Sequence, residues 1–345
     1  MSVAVVGGGV IGLSVANELV DRGTRVTLFS PQPIGQITSS VAAAFWAPYW
    51  VGDYDRQLAI QTLERLQQLA SEGTEGITFV DFEEWMTSDF VESYEENIES
   101  THWWRNLPGI NLRIEPMPER RSVRLNGEEI DFPERLRFRS VVARMPDYLA
   151  WLERRATESG NMDLQRCWID SLDELCTQFD QVIHCTGWGA KTLASNDPST
   201  ANMKLLAGHV VLLDCPGIEN ATLFHGKPFD ANPIYVVPRQ GSVRDVLCGG
   251  TAIEVQDLPD VRQPITFRKE SVCDDVIQRA KSVIPSLTEG IEVGRGVGFR
   301  PVRDSVRIER DPIQQNLIHC YGHGGSGLTL SWGSASRVVS LMRAN

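Results

Sequence analysis

The sequence has 345 residues, 42% of them hydrophobic, which is enough chain for about two globular domains with a sizeable core. Acidic residues outnumber basic ones 45 to 33, and the net charge of −12 argues against nucleic acid or an anionic membrane surface as a partner. No apolar run is long enough to span a membrane, and seven cysteines without CxxC spacing read as buried free thiols rather than a disulfide framework.

The first stretch predicts a nucleotide site. Ser2-Val3-Ala4-Val5-Val6 reads as a buried strand that runs into Gly7-Gly8-Gly9-Val10-Ile11-Gly12, and Leu13, Ala16, Leu19 and Val20 give the following helix an apolar face. Gly7 allows the tight turn, Gly9 lets the backbone approach a pyrophosphate, and Gly12 lets the helix pack closely on the strand. The phosphates would sit by Val10 and Ile11, where unpaired N–H groups and the helix dipole favour negative charge. With a strand starting at Ser2 we expect no signal peptide and a cytoplasmic protein.

A second strand is predicted over 25–29. Nucleotide folds usually place an acidic residue near its end, about 20 residues beyond the glycines, to hold the ribose. Ser30-Pro31 stands there instead, and Ser30, Thr38, Ser39 and Ser40 offer hydroxyls to share the work. Small side chains at Ala42, Ala43 and Ala44 then permit close approach of a flat ligand, before Phe45-Trp46-Ala47-Pro48-Tyr49.

A helix is predicted over 54–72 and an alternating strand over 77–82. The acidic segment 83–105 ends near His102-Trp103-Trp104, read as packing or a lid, with a substrate role as the alternative. Asn126-Gly127 is a type I′ turn signal joining 123–125 to 128–132 in a hairpin. A strand over 137–143, a helix over 147–157 and a strand over 163–168 follow, with Trp168 placed among the cofactor contacts. After a short helix over 172–176, an apolar strand ends in Thr186-Gly187, where the backbone passes the cofactor. Two nucleotide-contacting strands separated by a long insertion favour FAD over NAD.

From 208 to 253 the chain is strand-rich, and Pro216, Pro228, Pro233 and Pro238 suit an antiparallel sheet rather than βαβ units. A helix is predicted over 272–284, a loop over 294–303, a strand over 317–321 and a last helix over 330–342. None of the six histidines is read as one of a metal-binding pair, so no metal is expected.

Five stretches, in order, resemble the D-amino acid oxidase family of FAD-dependent oxidases, which includes D-aspartate oxidase. They are residues 5–14, 41–49, Cys185-Thr186-Gly187, Gly298-Phe299-Arg300-Pro301-Val302-Arg303 and 321–329 with its Gly322-His323-Gly324-Gly325-Ser326-Gly327 loop. The resemblance implies an α/β fold: a Rossmann-like FAD-binding domain from 1–76, 137–200 and 295–345, and an antiparallel-sheet substrate domain from 77–136 and 201–294.

It further implies that Arg300 grips the substrate carboxylate, which a guanidinium matches in bidentate fashion, that Tyr235 adds its hydroxyl, and that Gly325 offers a carbonyl to the substrate amine. On the residues alone Tyr235 is a core strand residue, and Arg303 and Arg307 read as makers of ordinary salt bridges. Gly324, Gly327, Leu328 and Thr329 would lie along the flavin, with Arg300 close by, and His323 would be a loop anchor or flavin neighbour, since this chemistry requires no general base. The implied reaction converts a D-amino acid to the imino acid by hydride transfer from Cα, with water then giving the 2-oxo acid and ammonia, and oxygen giving hydrogen peroxide.

Departures from the family pattern, Ala231, Ala47 and Ser326, all remove bulk and suggest a wider pocket. They keep open oxidation of another amine, an N-alkyl glycine or a biosynthetic amino-acid unit. Rivals of other kinds are a nicotinamide dehydrogenase and a flavin-binding protein without turnover. The ending Met342-Arg343-Ala344-Asn345 lacks a peroxisomal tripeptide, and a homodimer is the default assembly.

Overall fold

The computed structural model describes residues 1–49, 51–125, 127–194, 197–230, 233–263 and 269–343. Asn126 of the expected turn and Ala231 lie outside the described residues.

The opening pattern folds as β1 (Ser2–Val6), α1 (Val10–Val20) and β2 (Arg25–Phe29). Then come α2 (Arg56–Ser71), β3 (Ile77–Met86) and α3 (Ser88–Thr101), a helix the acidic composition had hidden. Its apolar positions Phe90, Val91, Tyr94 and Ile98 nevertheless repeat at helical spacing and pack on Met86 and Leu136. β4 (Arg113–Leu125) and β5 (Glu128–Ala143) pair as the expected hairpin, and both are longer than their sequence signal. α4 (Met145–Glu158), β6 (Met162–Gln165), α5 (Leu172–Gln178) and β7 (Gln181–His184) follow, with two single-turn helices, α6 (Ala190–Leu193) and α7 (Pro198–Ala201).

The strand-rich region comprises β8 (Lys204–Asp214), β9 (Ala221–His225), β10 (Tyr235–Arg239), β11 (Asp245–Gly249) and β12 (Ile253–Glu254), followed by α8 (Glu270–Val283). The chain closes with β13 (Ile291–Arg310), β14 (Leu317–His323) and α9 (Gly327–Arg343).

The loop expected over 294–303 is therefore wrong: those residues lie inside β13. Glycine weakens strand propensity, but Gly296 and Gly298 alternate and share a face. A Cβ on Gly296 would stand 2.9 Å from Val41 Cγ1, and one on Gly298 2.7 Å from Val41 Cγ2. These glycines admit a crossing segment and do not turn the chain. The last helix also begins earlier than its pattern, at Gly327.

Among the described residues the strands form one sheet in the order β4-β5-β3-β9-β10-β11-β8-β13-β14-β7-β1-β2-β6, with β12 on β8. From β14 to β6 every pairing is parallel, and β1 sits between β7 and β2. The chain leaves β1 toward one side and returns on the other, so a crevice opens at the carboxyl end of β1, where open α/β sheets bind ligands. From β9 to β13 the pairings are antiparallel. The proposed domain boundaries at 136/137 and 294/295 fall inside β5 and β13, strands that both halves share.

Two apolar cores follow. α1 is buried over almost its whole length, in a core with α2, α4 and α9 that includes Leu13, Leu19, Leu66, Leu152 and Trp332. Gly333 of α9 packs so tightly on α2 that a Cβ would collide with the Leu58 backbone, and its N–H donates to Thr62 Oγ1 at 2.9 Å. The second core sets α8, through Val276 and Val283, against Val211, Val236 and Val246 of the antiparallel strands.

Candidate active site

A cavity of about 890 Å³ runs from the glycine turn after β1 to the antiparallel strands. At its first end Gly7 holds φ at +114°, and a Cβ there would strike the Cys185 carbonyl, so only glycine fits. Gly9 caps α1 without a side-chain bond, and no acidic residue stands in the first turn, which leaves the helix N-terminus for an anion. The Val10 N–H donates to Ser39 Oγ at 3.1 Å. Gly7, Gly9, Val10, Ile11, Thr38 and Ser39 line the cavity.

Two predicted contacts sit elsewhere. Gly12 faces the turn, where its missing Cβ makes room for the Gly7 carbonyl. Ser40 is buried, outside the cavity wall, and its hydroxyl donates to the Ile34 carbonyl, closing the short turn between them. Ser30 does line the cavity, beside Gly8, and Arg166 approaches its carbonyl. Trp168 lines it too, 38% exposed, with the Arg262 guanidinium 5.8 Å from its ring.

Ala42, Ala43 and Ala44 line the cavity, as do Gly324, Gly325, Gly327, Leu328 and Thr329. Ala44 has φ +54°, a conformation non-glycine residues rarely adopt, and it is pinned to β5 by the Ala143 N–H at 2.8 Å from its carbonyl. His323 Nε2 lies 3.0 Å from Ser334 Oγ of α9, so the ring lines the cavity and also ties the glycine loop to the helix. Thr186 and Gly187 line the cavity beside the glycine turn.

At the antiparallel end, two glycines on neighbouring strands make room for two large side chains. A Cβ on Gly208 of β8 would lie 2.5 Å from Arg300 Nη2, and one on Gly249 of β11 would lie 2.5 Å from the Tyr235 hydroxyl oxygen. Gly249 pairs with Val210, two residues from Gly208, so the two floors are diagonal neighbours about 7–8 Å apart. Arg300 Nη1 donates to the Thr251 carbonyl at 2.6 Å, which fixes the guanidinium, and Phe45 braces the Tyr235 ring at 6.1 Å. Among the described residues no carboxylate pairs with Arg300, although the chain is strongly acidic. Arg307 does make ion pairs, to Asp197 and Glu309, as its sequence reading expects. Arg303 donates to the carbonyls of Ser199 and Ser305 instead of a carboxylate.

A cluster that sequence reasoning did not assemble flanks this end: His102 was noticed only with its tryptophan neighbours, and Glu84 and His225 were missed. His102 and His225 line the cavity, and behind them Glu84 is fully buried, with its Oε2 3.3 Å from His102 Nε2 and 2.9 Å from His225 Nε2. Burial alone would raise the Glu84 carboxyl, but the two imidazoles outweigh it and hold it at about 2. These groups come from β3, β9 and the end of α3, and no local pattern brings them together. Trp104 packs edge-on against Trp46 at 5.9 Å and Trp103 lies under Arg56, so the tryptophan pair is packing and only its neighbour His102 reaches the cavity. Six cysteines are buried as expected, but Cys167 is exposed.

Known proteins resemble this chain over almost its full length. The profile of the family described as "FAD dependent oxidoreductase" matches residues 2–341. A D-amino-acid oxidase of Rubrobacter xylanophilus is 33% identical over 99% of this chain and 95% of its own, and one of Streptomyces coelicolor is 30% identical over 98% and 96%. Among solved structures, glycine oxidase from Bacillus cereus superposes with a TM-score of 0.76 at 19% identity, covering 99% of this chain and 94% of its own. No helix among the described residues is long and apolar enough to cross a membrane.

Proposed function

The chain belongs to the family of FAD-dependent oxidoreductases that includes the D-amino-acid oxidases, and on that premise we propose that it oxidises free D-amino acids at Cα, with oxygen as the electron acceptor. The observation that carries this reading is the guanidinium of Arg300, fixed by Thr251 and aimed into the cavity without a carboxylate of its own. A partly desolvated cation in that position is stabilised by an anionic ligand.

FAD fits the residues present: its pyrophosphate belongs at the N-terminus of α1, and its flavin between the alanines 42–44 and the Gly324–Thr329 segment. Thr186 and Gly187 would contact its sugar-bearing part, with Ser30 and Trp168 toward the adenine end. When bound, FAD supplies the hydride acceptor. The chain's own work is then to bind and orient. Arg300 and Tyr235 would hold the substrate carboxylate, and the carbonyl of Gly325, unshielded by a side chain, would accept from the amine. With both ends of the substrate fixed, its Cα–H is directed at the flavin, and orientation replaces a general base. His323, bonded to Ser334, is left to hold the loop. Ala47 and Ser326 line the cavity with Tyr49 and Phe90, and the small side chains at the first two positions favour a substrate with a large side chain.

The experiment is anaerobic addition of D- and L-amino acids, one at a time, to the purified yellow protein. Loss of flavin absorbance with D-isomers alone is expected, and the relative rates rank the side chains. No bleaching by any free amino acid, with bleaching by an N-alkyl glycine, would replace this reading with oxidation of a secondary amine.

A further inference from the structure

Behind Thr186 runs a line of hydrogen bonds that leads away from the cavity. Thr186 Oγ1 lies 2.7 Å from His184 Nε2, His184 Nδ1 lies 3.1 Å from His319 Nδ1, and His319 Nε2 lies 3.0 Å from Asp311 Oδ2. Both imidazoles are buried, at 0% and 1% exposure. The other oxygen of Asp311 is already occupied by the N–H groups of Ile313 at 2.9 Å and Gln314 at 2.7 Å. The remaining charges nearby are Asp197, whose Oδ2 is 3.9 Å from His319 Nε2, and Arg307, which is paired with Asp197.

Each link allows one direction only. Burial pushes His184 down to about 3, helped by the neighbouring His319 and Arg307, and burial also lowers His319, so both rings are neutral and each carries one proton. Burial pushes the Asp311 carboxyl up, but its hydrogen bonds from Gln314, His319 and Ile313 outweigh this and keep it ionised. A carboxylate only accepts, so the His319 proton is on Nε2. His319 Nδ1 is then a lone pair, which requires the His184 proton on Nδ1. His184 Nε2 is in turn a lone pair, and the Thr186 hydroxyl must spend its single proton there.

We infer that this relay makes Thr186 an obligate acceptor toward the cofactor, so that it receives a hydrogen bond from a ribose or ribityl hydroxyl of FAD and does not serve a phosphate oxygen. Phosphate oxygens carry no proton to give, whereas the sugar hydroxyls do. Asp311, His319 and His184 act as positioning residues through Thr186. The relay thus brings the influence of a carboxylate to the sugar from across the sheet, in a chain whose β2 ends in Ser30 and not in an acid. The inference rests on the placement of FAD against Thr186 proposed above.

The test combines spectroscopy with cofactor affinity. In holoenzyme labelled with ¹⁵N-histidine, the six imidazoles are few enough to assign, and the expected pattern is His319 protonated at Nε2 and His184 at Nδ1. Asp311→Asn should reverse it. The Ile313 and Gln314 N–H groups hold the amide oxygen in place and turn the NH₂ toward His319, moving the protons to His319 Nδ1 and His184 Nε2. FAD dissociation, followed by flavin fluorescence, should then be about tenfold more favourable, the scale of one hydrogen bond. Thr186→Val should weaken FAD by a similar factor, Thr186→Ser should restore it, and Asp311→Asn should add nothing in the Thr186→Val background. Opposite tautomers in the parent protein overturn the relay. A Thr186→Val variant that holds FAD as tightly as the parent overturns the cofactor contact, and an equal loss from Asp311→Asn in both backgrounds overturns the coupling.

Discussion

β13 carries Arg307 and Arg300 in two settings, a buried guanidinium paired with carboxylates and one at the cavity that has none among the described residues. At the outer end Arg307 is almost fully buried and bonded to Asp197, Glu309, Ser199 and the Tyr321 hydroxyl. At the cavity end Arg300 is half-buried, with one carbonyl partner and a glycine beneath it. Both sites bury positive charge, but only the outer one supplies its own anions. On the proposed function the cavity end would leave that role to the substrate, trading stability of the empty protein for affinity.

The largest effect should come from breaking the cavity end. Arg300→Ala is expected to cost about 2–5 kcal/mol of substrate binding, a rise in KM of about 30-fold to several thousandfold, with FAD retained and Tm almost unchanged. Steady-state kinetics with the best D-amino acid checks it, and an unchanged KM would remove the carboxylate clamp.

The outer end should respond in the opposite way. Burial raises the Asp197 carboxyl, but the bonds from Arg307 and Ser199 outweigh it and hold it at about 2, below its ordinary 3.8. Because the folded value is the lower one, the stabilisation is complete above about pH 4 and is lost as pH falls toward 2. Asp197→Asn keeps the cap on the Ser199 N–H but loses the charge, so it should cost about 2 kcal/mol at pH 7 and flatten the acid limb of the stability curve, with KM unchanged. Denaturant melts at several pH values check this.

The smallest effect is expected at Tyr235→Phe, which removes one hydroxyl from the clamp and leaves the ring on Gly249. A loss of about 1 kcal/mol, or a few-fold rise in KM, should appear in the same assay that reads Arg300→Ala.

How far the sequence revealed these two settings depended on whether the signal was local. The glycine turn, the alanines 42–44 and the Gly322–Gly327 loop were legible because each packs its requirement into a few consecutive residues. β13 was not, because Gly296 and Gly298 read as breakers until Val41, far away in sequence, is seen packed against them. Arg300 and Arg307 could not be told apart by periodicity, and only the family resemblance singled out the first. Glu84 and His225 escaped entirely, and His102 was noticed only as part of the His102-Trp103-Trp104 run: three separate elements deliver them, and His225 lies on β9, a five-residue strand whose pattern had not been recognised. Ser40 was grouped with its neighbours by composition, whereas the turn to Ile34 rotates it out of the cavity wall.

The order of the sheet also bears on how the protein is made. β1 is made well before its sheet neighbours on one side, since β7 begins at Gln181 and the next strand, β14, at Leu317. The helix that covers α1 is α9, whose first turn carries Leu328 and Thr329 into the cavity. A growing chain can therefore display its glycine turn early, but the pocket that would close on FAD exists only after about three hundred further residues have been synthesised. Cofactor capture would thereby wait until α9 has been made, and until then the apolar face of α1 lacks the helix that covers it.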